Sequence, residues 1–180
     1  MKLSLLLISL MIVGCIPIPM TADIYKPSAD GGVIRESMCG YNQGSGIWDE
    51  LETSVSTVKF YIRAFKVEDK VRIHISINTQ TSNNVRLSSN KFTITSENKS
   101  SDHFPKLLYT YKDHPKTLPV NETLIQEYGT NFVLFFDVSV PNEKEFILNM
   151  PRIHINNVEH NMPNVTFTPD TSLYLMTVNC

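Results

Sequence analysis

Residues 58–78, VKFYIRAFKVEDKVRIHISIN, decide the fold of this 180-residue chain. Apolar residues occupy every second position of 58–64 and again of 71–77. The short polar link Glu68-Asp69-Lys70 separates the two runs. A period of two is that of a β-strand with one buried and one solvated face. The stretch therefore predicts a β-hairpin, and it is the strongest structural signal in the sequence.

Shorter apolar runs continue the pattern at intervals near ten residues: 85–87, 92–94, 107–111, 131–140, 146–148, 153–155, 165–167 and 173–178. The run 131–140 is nearly continuously apolar, which predicts a central strand covered on both faces. Asn156-Asn157 predicts a tight turn. The glycine-containing stretch 33–52 is expected to be a loop, in which only 47–52 suggests a short turn of helix.

The order of these runs predicts an all-β fold of seven to nine short strands. Alanine is scarce while Asn, Ser and Thr are abundant, and this composition disfavours helices. We expect an antiparallel β-sandwich of immunoglobulin-like kind. A small closed β-barrel is the alternative, because sequence patterns do not separate the two.

The N-terminal residues 1–15, MKLSLLLISLMIVGC, have the pattern of a secretory signal. Lys2 precedes the apolar run 3–14, which would be about 18 Å long as a helix, whereas a bilayer core is about 30 Å thick. Pro17 and Pro19 stop the run from extending. The sequence therefore predicts a signal peptide over 1–14.

Ile12-Val13-Gly14-Cys15 resembles the lipobox of bacterial lipoproteins, with Ile in place of the more frequent Leu three residues before the cysteine. The resemblance implies that Cys15 carries a diacylglycerol and an acyl chain such as palmitate. Several chains anchor a protein stably, whereas one gives marginal binding. Ile16 after the cysteine further implies sorting to the outer membrane of a two-membrane host. A signal cleaved after Ala22 and an uncleaved anchor are the alternatives.

The mature chain is expected to divide into two parts. Residues 15–32 contain several prolines and no clear periodicity, so they are predicted to be a tether that holds the domain off the bilayer. Residues 33–180 are predicted to be a single domain, since about 165 residues after the signal correspond to one.

Cys39 and Cys180 are the cysteines that remain once Cys15 carries lipid. An even pair in an oxidising compartment predicts an intrachain disulfide. Closing a loop of about 140 residues would stabilise the fold by about 5 kcal/mol in the chain-entropy treatment. Two free thiols, or an intermolecular bond through Cys180, are the alternatives.

No local motif predicts catalysis, a metal or a cofactor. His74 and His154 fall on the polar faces of expected strands, where solvated side chains are usual. Asp102-His103 and Asp113-His114 are expected in loops, without zinc-ligand spacing. Gly44-Ser45-Gly46 lacks the pattern of a nucleophile elbow. Nor does the formal charge of −2 suggest nucleic acid as a partner.

Trp48 and Tyr41 are an aromatic pair in an expected loop. Exposed aromatic residues of loops stack on sugars or anchor protein interfaces, so both are candidate ligand contacts. The alternative, which the sequence favours, is that Trp48 has a packing role and fills one end of the domain beside Cys39.

These features predict a lipid-anchored protein of the cell envelope, at the outer membrane and facing the periplasm or the surface. We expect a non-enzymatic binding or scaffolding domain whose partner is an envelope protein or glycan. The alternative is an envelope enzyme, an enzyme inhibitor or a carbohydrate-binding module whose site is assembled from distant loops.

Overall fold

The computed structural model describes residues 18–36, 38–39, 43–44, 47–79, 84–97, 99–108, 115–118, 131–139 and 144–176. Over these ranges every regular element is a β-strand and every strand pairing is antiparallel. The predicted all-β, antiparallel class is confirmed. None of the described segments is a helix long and apolar enough to cross a membrane.

The strands are, in chain order, β1 Ile18–Ser28, β2 Val33–Arg35, β3 Met38–Cys39, β4 Gln43–Gly44, β5 Glu50–Val55, β6 Val58–Val67, β7 Lys70–Asn78, β8 Val85–Leu87, β9 Phe92–Ser96, β10 Lys99–His103, β11 Lys106–Leu108, β12 Lys116–Thr117, β13 Asn131–Val138, β14 Phe146–Asn149, β15 Ile153–Ile155, β16 Val158–His160 and β17 Val165–Met176. The predicted hairpin is formed by β6 and β7. The predicted tight turn at Asn156-Asn157 joins β15 to β16, and both residues have positive φ.

Twelve strands form one sheet, with the path β10-β9-β14-β17-β1-β6-β7-β13-β11-β12 and with β5 and β2 attached beside β6. One edge of β6 is shared: its residues 58–62 pair with β5, while Ala64 pairs with Tyr25 of β1. This single pair joins the two parts of the sheet. We call β10, β9, β14, β17 and β1 the β1 half, and the other seven strands the β6 half.

The two halves share one hydrophobic core. Phe92 of β9 lies 5.7 Å, ring centre to ring centre, from Phe136 of β13, although five strands separate β9 from β13 along the path. Phe146 stacks on Phe167 at 4.9 Å and meets Tyr25 edge-on at 5.4 Å. The sheet therefore curls until strands far apart in its order pack against each other. The small sheet β16-β15-β8 adds further buried aliphatic side chains to this core.

Part of the N-terminal tether expected over 15–32 is a strand in the structure. From Ile18 onward the chain is strand β1, which pairs with β17 through eleven residues. Ile24 and Tyr25 of β1 are buried. The prolines are compatible with this strand because β1 has β17 as its only extended partner, and an edge position tolerates a missing N–H. Residues 18–28 therefore belong to the sheet rather than to a tether, and residues 15–17 lie outside the described ranges.

Two further expectations differ from the structure. Strand β13 alternates between buried and partly exposed residues instead of being covered on both faces, so its apolar run overstates its burial. The outward-facing Phe135 is covered by the guanidinium of Arg72 rather than by a second layer of the fold. The helical turn suggested at 47–52 is absent, because Glu50–Val55 forms strand β5 beside β6.

Candidate binding face

The residues predicted for lipidation and for the disulfide lie mostly outside the described ranges. Cys15, the signal peptide 1–14, Tyr41 and Cys180 are all outside them. Cys39 belongs to the two-residue strand β3, where its backbone pairs with Gln43 of β4. Both cysteine assignments therefore remain predictions.

Trp48 stands directly before β5, and 58% of its surface is exposed. It therefore does not plug an end of the core, which corrects the interpretation favoured by the sequence. The neighbouring Asp49 is buried instead. An exposed indole beside a rigid strand is a suitable contact for a sugar or a protein partner.

Asp102 and His103 lie in strand β10, not in a loop as expected. Asp102 accepts a hydrogen bond from Thr93 Oγ1 at 2.9 Å and pairs with Lys91 at 3.3 Å. His103 lies 2.8 Å from Ser101 Oγ and stacks on Phe136, with ring centres 5.5 Å apart. Burial lowers the pKa of His103. Both side chains are thus engaged in the sheet structure.

The other histidines do not converge in the described residues. His154 faces Glu159 across the β15–β16 pair, with Nε2 and Oε1 3.6 Å apart. His160 ends β16, while His114 and Asp113 lie outside the described ranges. No group of three His, Cys, Asp or Glu side chains in the described part could hold a metal ion.

The most chemically organised surface is the outward side of the β6 half, where strands β5, β6, β7 and β13 lie side by side. We call it the outer face. Its side chains alternate with the core residues along each strand, and most of them are half-buried. The outer face comprises Glu50, Glu52, Tyr61, Arg63, Phe65, Arg72, His74, Ser76, Val133, Phe135 and Asp137.

At one side of the outer face Glu52 binds two cations. Lys59 Nζ donates to Glu52 Oε1 at 2.8 Å, and Arg35 Nη1 donates to Glu52 Oε2. The hydrogen bond from Lys59 is the main reason why the pKa of Glu52 is lowered. The guanidinium of Arg35 also lies over the ring of Tyr61, 5.6 Å from its centre. Lys59 and Arg35 therefore both have a carboxylate partner.

At the opposite side Arg72 forms a bidentate pair with Asp137. Nε and Nη2 donate to the two carboxylate oxygens at 2.6 and 3.0 Å. These bonds lower the pKa of Asp137. The same guanidinium lies 5.6 Å from the ring centre of Phe135. Because the N–H groups of its guanidinium bind Asp137 and the planar face lies over Phe135, Arg72 is fixed in position.

Arg63 lies between these two pairs and has no ion-pair partner among the described side chains. Its guanidinium stacks over Phe65 at 5.2 Å, and its buried Nε has no hydrogen-bond partner in the described residues. His74, opposite Arg63 on β7, likewise has a buried Nδ1 without such a partner. Burial, reinforced by the charges of Arg63 and Arg72, lowers the pKa of His74 to about 4.

Glu50, on β5, contributes charge to this central part of the face. Burial raises the pKa of its carboxyl, and the positive charge of Arg63 partly opposes this rise. No hydrogen bond joins the two side chains in the described structure. The centre of the outer face thus holds a guanidinium that stacks on a ring but does not bind a carboxylate.

This arrangement is suited to binding an anion. Arg63 can donate two parallel hydrogen bonds to a carboxylate or a similar oxyanion. Tyr61, Phe65 and Phe135 add aromatic rings to the same face, each with a guanidinium over it. His74 is neutral at pH 7 and a weak base, since its pKa is about 4.

Arg63, Phe65 and Phe135 were not predicted from the sequence as candidate contacts. The signal was present: the positions that alternate with the core in β6 are occupied by Tyr61, Arg63 and Phe65 rather than by small polar residues. Aromatic residues and arginine are the types enriched in binding interfaces. An outward face composed of them is a candidate contact surface.

Comparison of the chain with protein-family models, with curated proteins and with solved structures finds no match.

Proposed function

We propose that the chain is a lipid-anchored protein of the cell envelope whose domain binds a partner without catalysing a reaction. The contact surface is the outer face, with Arg63 at its centre. The partner is an envelope protein or glycan that presents a carboxylate. The observation that carries this proposal is the guanidinium of Arg63, which stacks on Phe65 without an ion-pair partner in the described residues.

The anchor part of the proposal rests on the sequence. Lys2, the apolar run 3–14 and Ile12-Val13-Gly14-Cys15 have the order of a lipoprotein signal. Lipid on Cys15 would hold the domain at a membrane, and Ile16 supports the outer membrane in a two-membrane host. The surface or the periplasm would then supply the partner.

The binding part rests on rigidity and charge. A bound anion gains most when its cation is already positioned, since less conformational freedom is then lost. Arg63 is held by its stack on Phe65 and lies on the central hairpin of the sheet. Its neighbours Arg35 and Arg72 are already paired with carboxylates, so Arg63 has the unused donors.

We also propose that the two halves of the sheet form the two layers of an immunoglobulin-like sandwich. The contact between Phe92 and Phe136 across the core supports two facing layers. A closed barrel would require the terminal strands β10 and β12 to pair, and they are unpaired with each other in the described residues. Backbone amide contacts between β10 and β12 in an NMR spectrum would favour the barrel.

The anchor is tested by replacing its acceptor. Cys15→Ser should abolish incorporation of labelled palmitate and release the protein from membranes. Ser45→Ala, which leaves the lipobox intact, is the control and should keep both label and attachment. Membrane attachment without label in the wild type would contradict lipidation.

The binding surface is tested with benzoate, which combines a carboxylate with an aromatic ring. In an NMR titration we expect benzoate to shift the backbone amides of β6 and β7 near Arg63, and Arg63→Gln to remove these shifts. The control is Arg152→Gln, which breaks the pair of Arg152 with Glu159 in another part of the fold. Shifts that persist in Arg63→Gln, or that cluster elsewhere, would contradict the assignment.

A carbohydrate-binding module is the second candidate, and the exposure of Trp48 favours it. Its indole would stack on a sugar ring. Quenching of the fluorescence of this single tryptophan by neutral oligosaccharides, with no effect of Arg63→Gln, would favour this function over anion recognition.

A further inference from the structure

The antiparallel pair of β1 and β17 extends beyond the rest of the sheet. Besides its pairing with β17, β1 pairs with another strand only at Tyr25, and β17 pairs with β14 only through residues 165–167. The remaining pairs, from Ile18 with Met176 to Asp23 with Thr171, form a two-stranded segment. We call residues 18–23 and 171–176 the ribbon. In the described structure neither outer edge of the ribbon has a strand partner.

The ribbon has an unusual composition for a two-stranded segment whose outer edges have no strand partner in the described structure. Apart from Asp23 at its base, it carries no charged residue, and its outer end consists of IPM from β1 and LYLM from β17. Leu173 is 70% exposed, the highest exposure among the large apolar residues of the described chain. Charges begin where the ribbon joins the domain, at Asp23, Asp170 and Lys66, around a depression of about 260 Å³.

The position of the ribbon in the chain determines what it can touch. Only Ile16 and Pro17 separate Ile18 from Cys15. Three residues span at most about 10 Å, so the outer end of the ribbon lies within that distance of a lipid on Cys15. Antiparallel pairing with Ile18 brings Met176 to the same place. An apolar end beside a membrane anchor is directed at the bilayer.

We propose that the ribbon rests on a lipid surface, with its outer end at the level of the headgroups. This inference depends on the proposed lipid anchor and adds an orientation to it. The ribbon does not enter the hydrocarbon, because its unpaired backbone edges would lose their hydrogen bonds to water there. The sequence of the outer end includes Tyr174, and tyrosine is a residue type enriched at the membrane interface.

The orientation has a consequence for the outer face. A ribbon of six residue pairs is about 20 Å long at 3.3 Å per residue. Two paired strands are stiffer than a single-chain linker, so the ribbon holds the domain at a fixed distance from the bilayer. The acidic Asp23 and Asp170 at its base disfavour closer approach to anionic lipids.

The proposal is tested with a tryptophan placed in the ribbon of the lipidated full-length protein. In a Trp48→Phe background, Leu173→Trp should emit at shorter wavelength in vesicles and be quenched by phosphatidylcholine brominated near the headgroup end of its acyl chains. The matched control is Val158→Trp, since Val158 is 58% exposed on β16. We expect quenching several-fold stronger at 173 than at 158.

Each other outcome overturns the assignment. Absence of quenching at 173, or equal quenching at both positions, would mean that the ribbon is not the membrane contact. A blue-shifted, unquenched emission that grows with protein concentration would mean that a second copy covers the ribbon. The intact mass of the same sample reports whether Cys15 carries lipid, so failure of the anchor is distinguished from failure of the ribbon.

Discussion

His74 is held in a neutral state by its surroundings on the outer face. It is half-buried between Arg63 of β6 and Phe135 of β13, the residues that face it in the strand register. Burial removes water from the imidazolium, and the positive charges of Arg63 and Arg72 disfavour a further cation. The pKa of His74 is therefore about 4 instead of the 6.5 of a free histidine.

This lowered pKa makes folding pH-dependent. The unfolded chain binds a proton at His74 below pH 6.5, whereas the folded chain does so only near pH 4. Above pH 6.5 the protonation of His74 should therefore not affect the free energy of unfolding. Between pH 6.5 and 4 the free energy of unfolding should decrease as the pH falls, by up to about 3 kcal/mol from this residue. His74→Gln should remove that part of the pH dependence, as measured by urea unfolding between pH 7.5 and 4.

Ser76→Ala is the matched control, because Ser76 lies on the same strand and face and does not titrate. It should keep the wild-type pH dependence. Contributions from Asp102 and Asp137, whose pKa values are lowered by hydrogen bonds, are present in all three proteins and cancel in the comparison. An imidazole signal of His74 that titrates near pH 6.5 would contradict the prediction.

The burial of individual side chains was harder to predict than the face of the strand on which they lie. The sequence places His74 on an outward face correctly, but it does not show that Arg63 and Arg72 flank it or that neighbouring side chains remove it from water. Trp48 is the opposite case, since its size favoured burial and the structure leaves it exposed. Burial of a single side chain depends on strands that are distant in sequence.

The turn from β6 to β7 contains a positive φ angle, which residues with a Cβ atom adopt only at an energetic cost. Glu68, in the turn from β6 to β7, has a φ of 57°, in the left-handed region. Glycine adopts this region without the steric penalty of a Cβ, although it loses more freedom on folding. Asp69, the other turn residue, is not among the residues with positive φ.

Glu68→Gly should therefore stabilise the domain by about 0.5–1 kcal/mol, because relief of strain exceeds the added entropy of the unfolded chain. Asp69→Gly should be neutral or destabilising, since no strain is relieved there. The measurement is the denaturation midpoint of both variants beside the wild type. Equal effects of the two substitutions would mean that the turn is unstrained.

Elements whose pairing is local in sequence were predicted well. The β6–β7 hairpin has alternating runs on both sides of a short turn, so its register follows from 21 consecutive residues. Strand β1 has no such signal, because its partner β17 lies about 150 residues further on and its prolines suggest a linker. The tight turn at Asn156-Asn157 was predictable since asparagine tolerates positive φ.

The predicted disulfide would join β3 to the chain that follows β17. Strand β17 ends at Met176, four residues before Cys180, and Cys39 lies in β3. We expect the purified protein to lose two mass units per disulfide relative to its reduced form, and reduction to lower the denaturation midpoint. Cys39→Ser should lower it equally. Two alkylatable thiols in the unreduced, unfolded protein would contradict the bond.

The connection between the halves of the sheet depends on one small residue. Ala64 is fully buried, faces Ile73 of β7 and is the only residue of β6 paired with β1. A small side chain here leaves room for the buried Tyr25, which packs edge-on against Phe146. The close pairing of the halves therefore requires a short side chain at position 64.

Ala64→Leu should destabilise the domain by about 1–3 kcal/mol, because three additional carbon atoms would have to enter a filled core. The effect should be concentrated at the junction: amide exchange in β1 should accelerate more than exchange in β7, which keeps its pairing with β13. Lys66→Leu, two residues further along the same strand and exposed, should change stability by less than about 0.5 kcal/mol. If Ala64→Leu is as stable as the wild type, or if β7 loses protection before β1, the two halves are not joined through this pair.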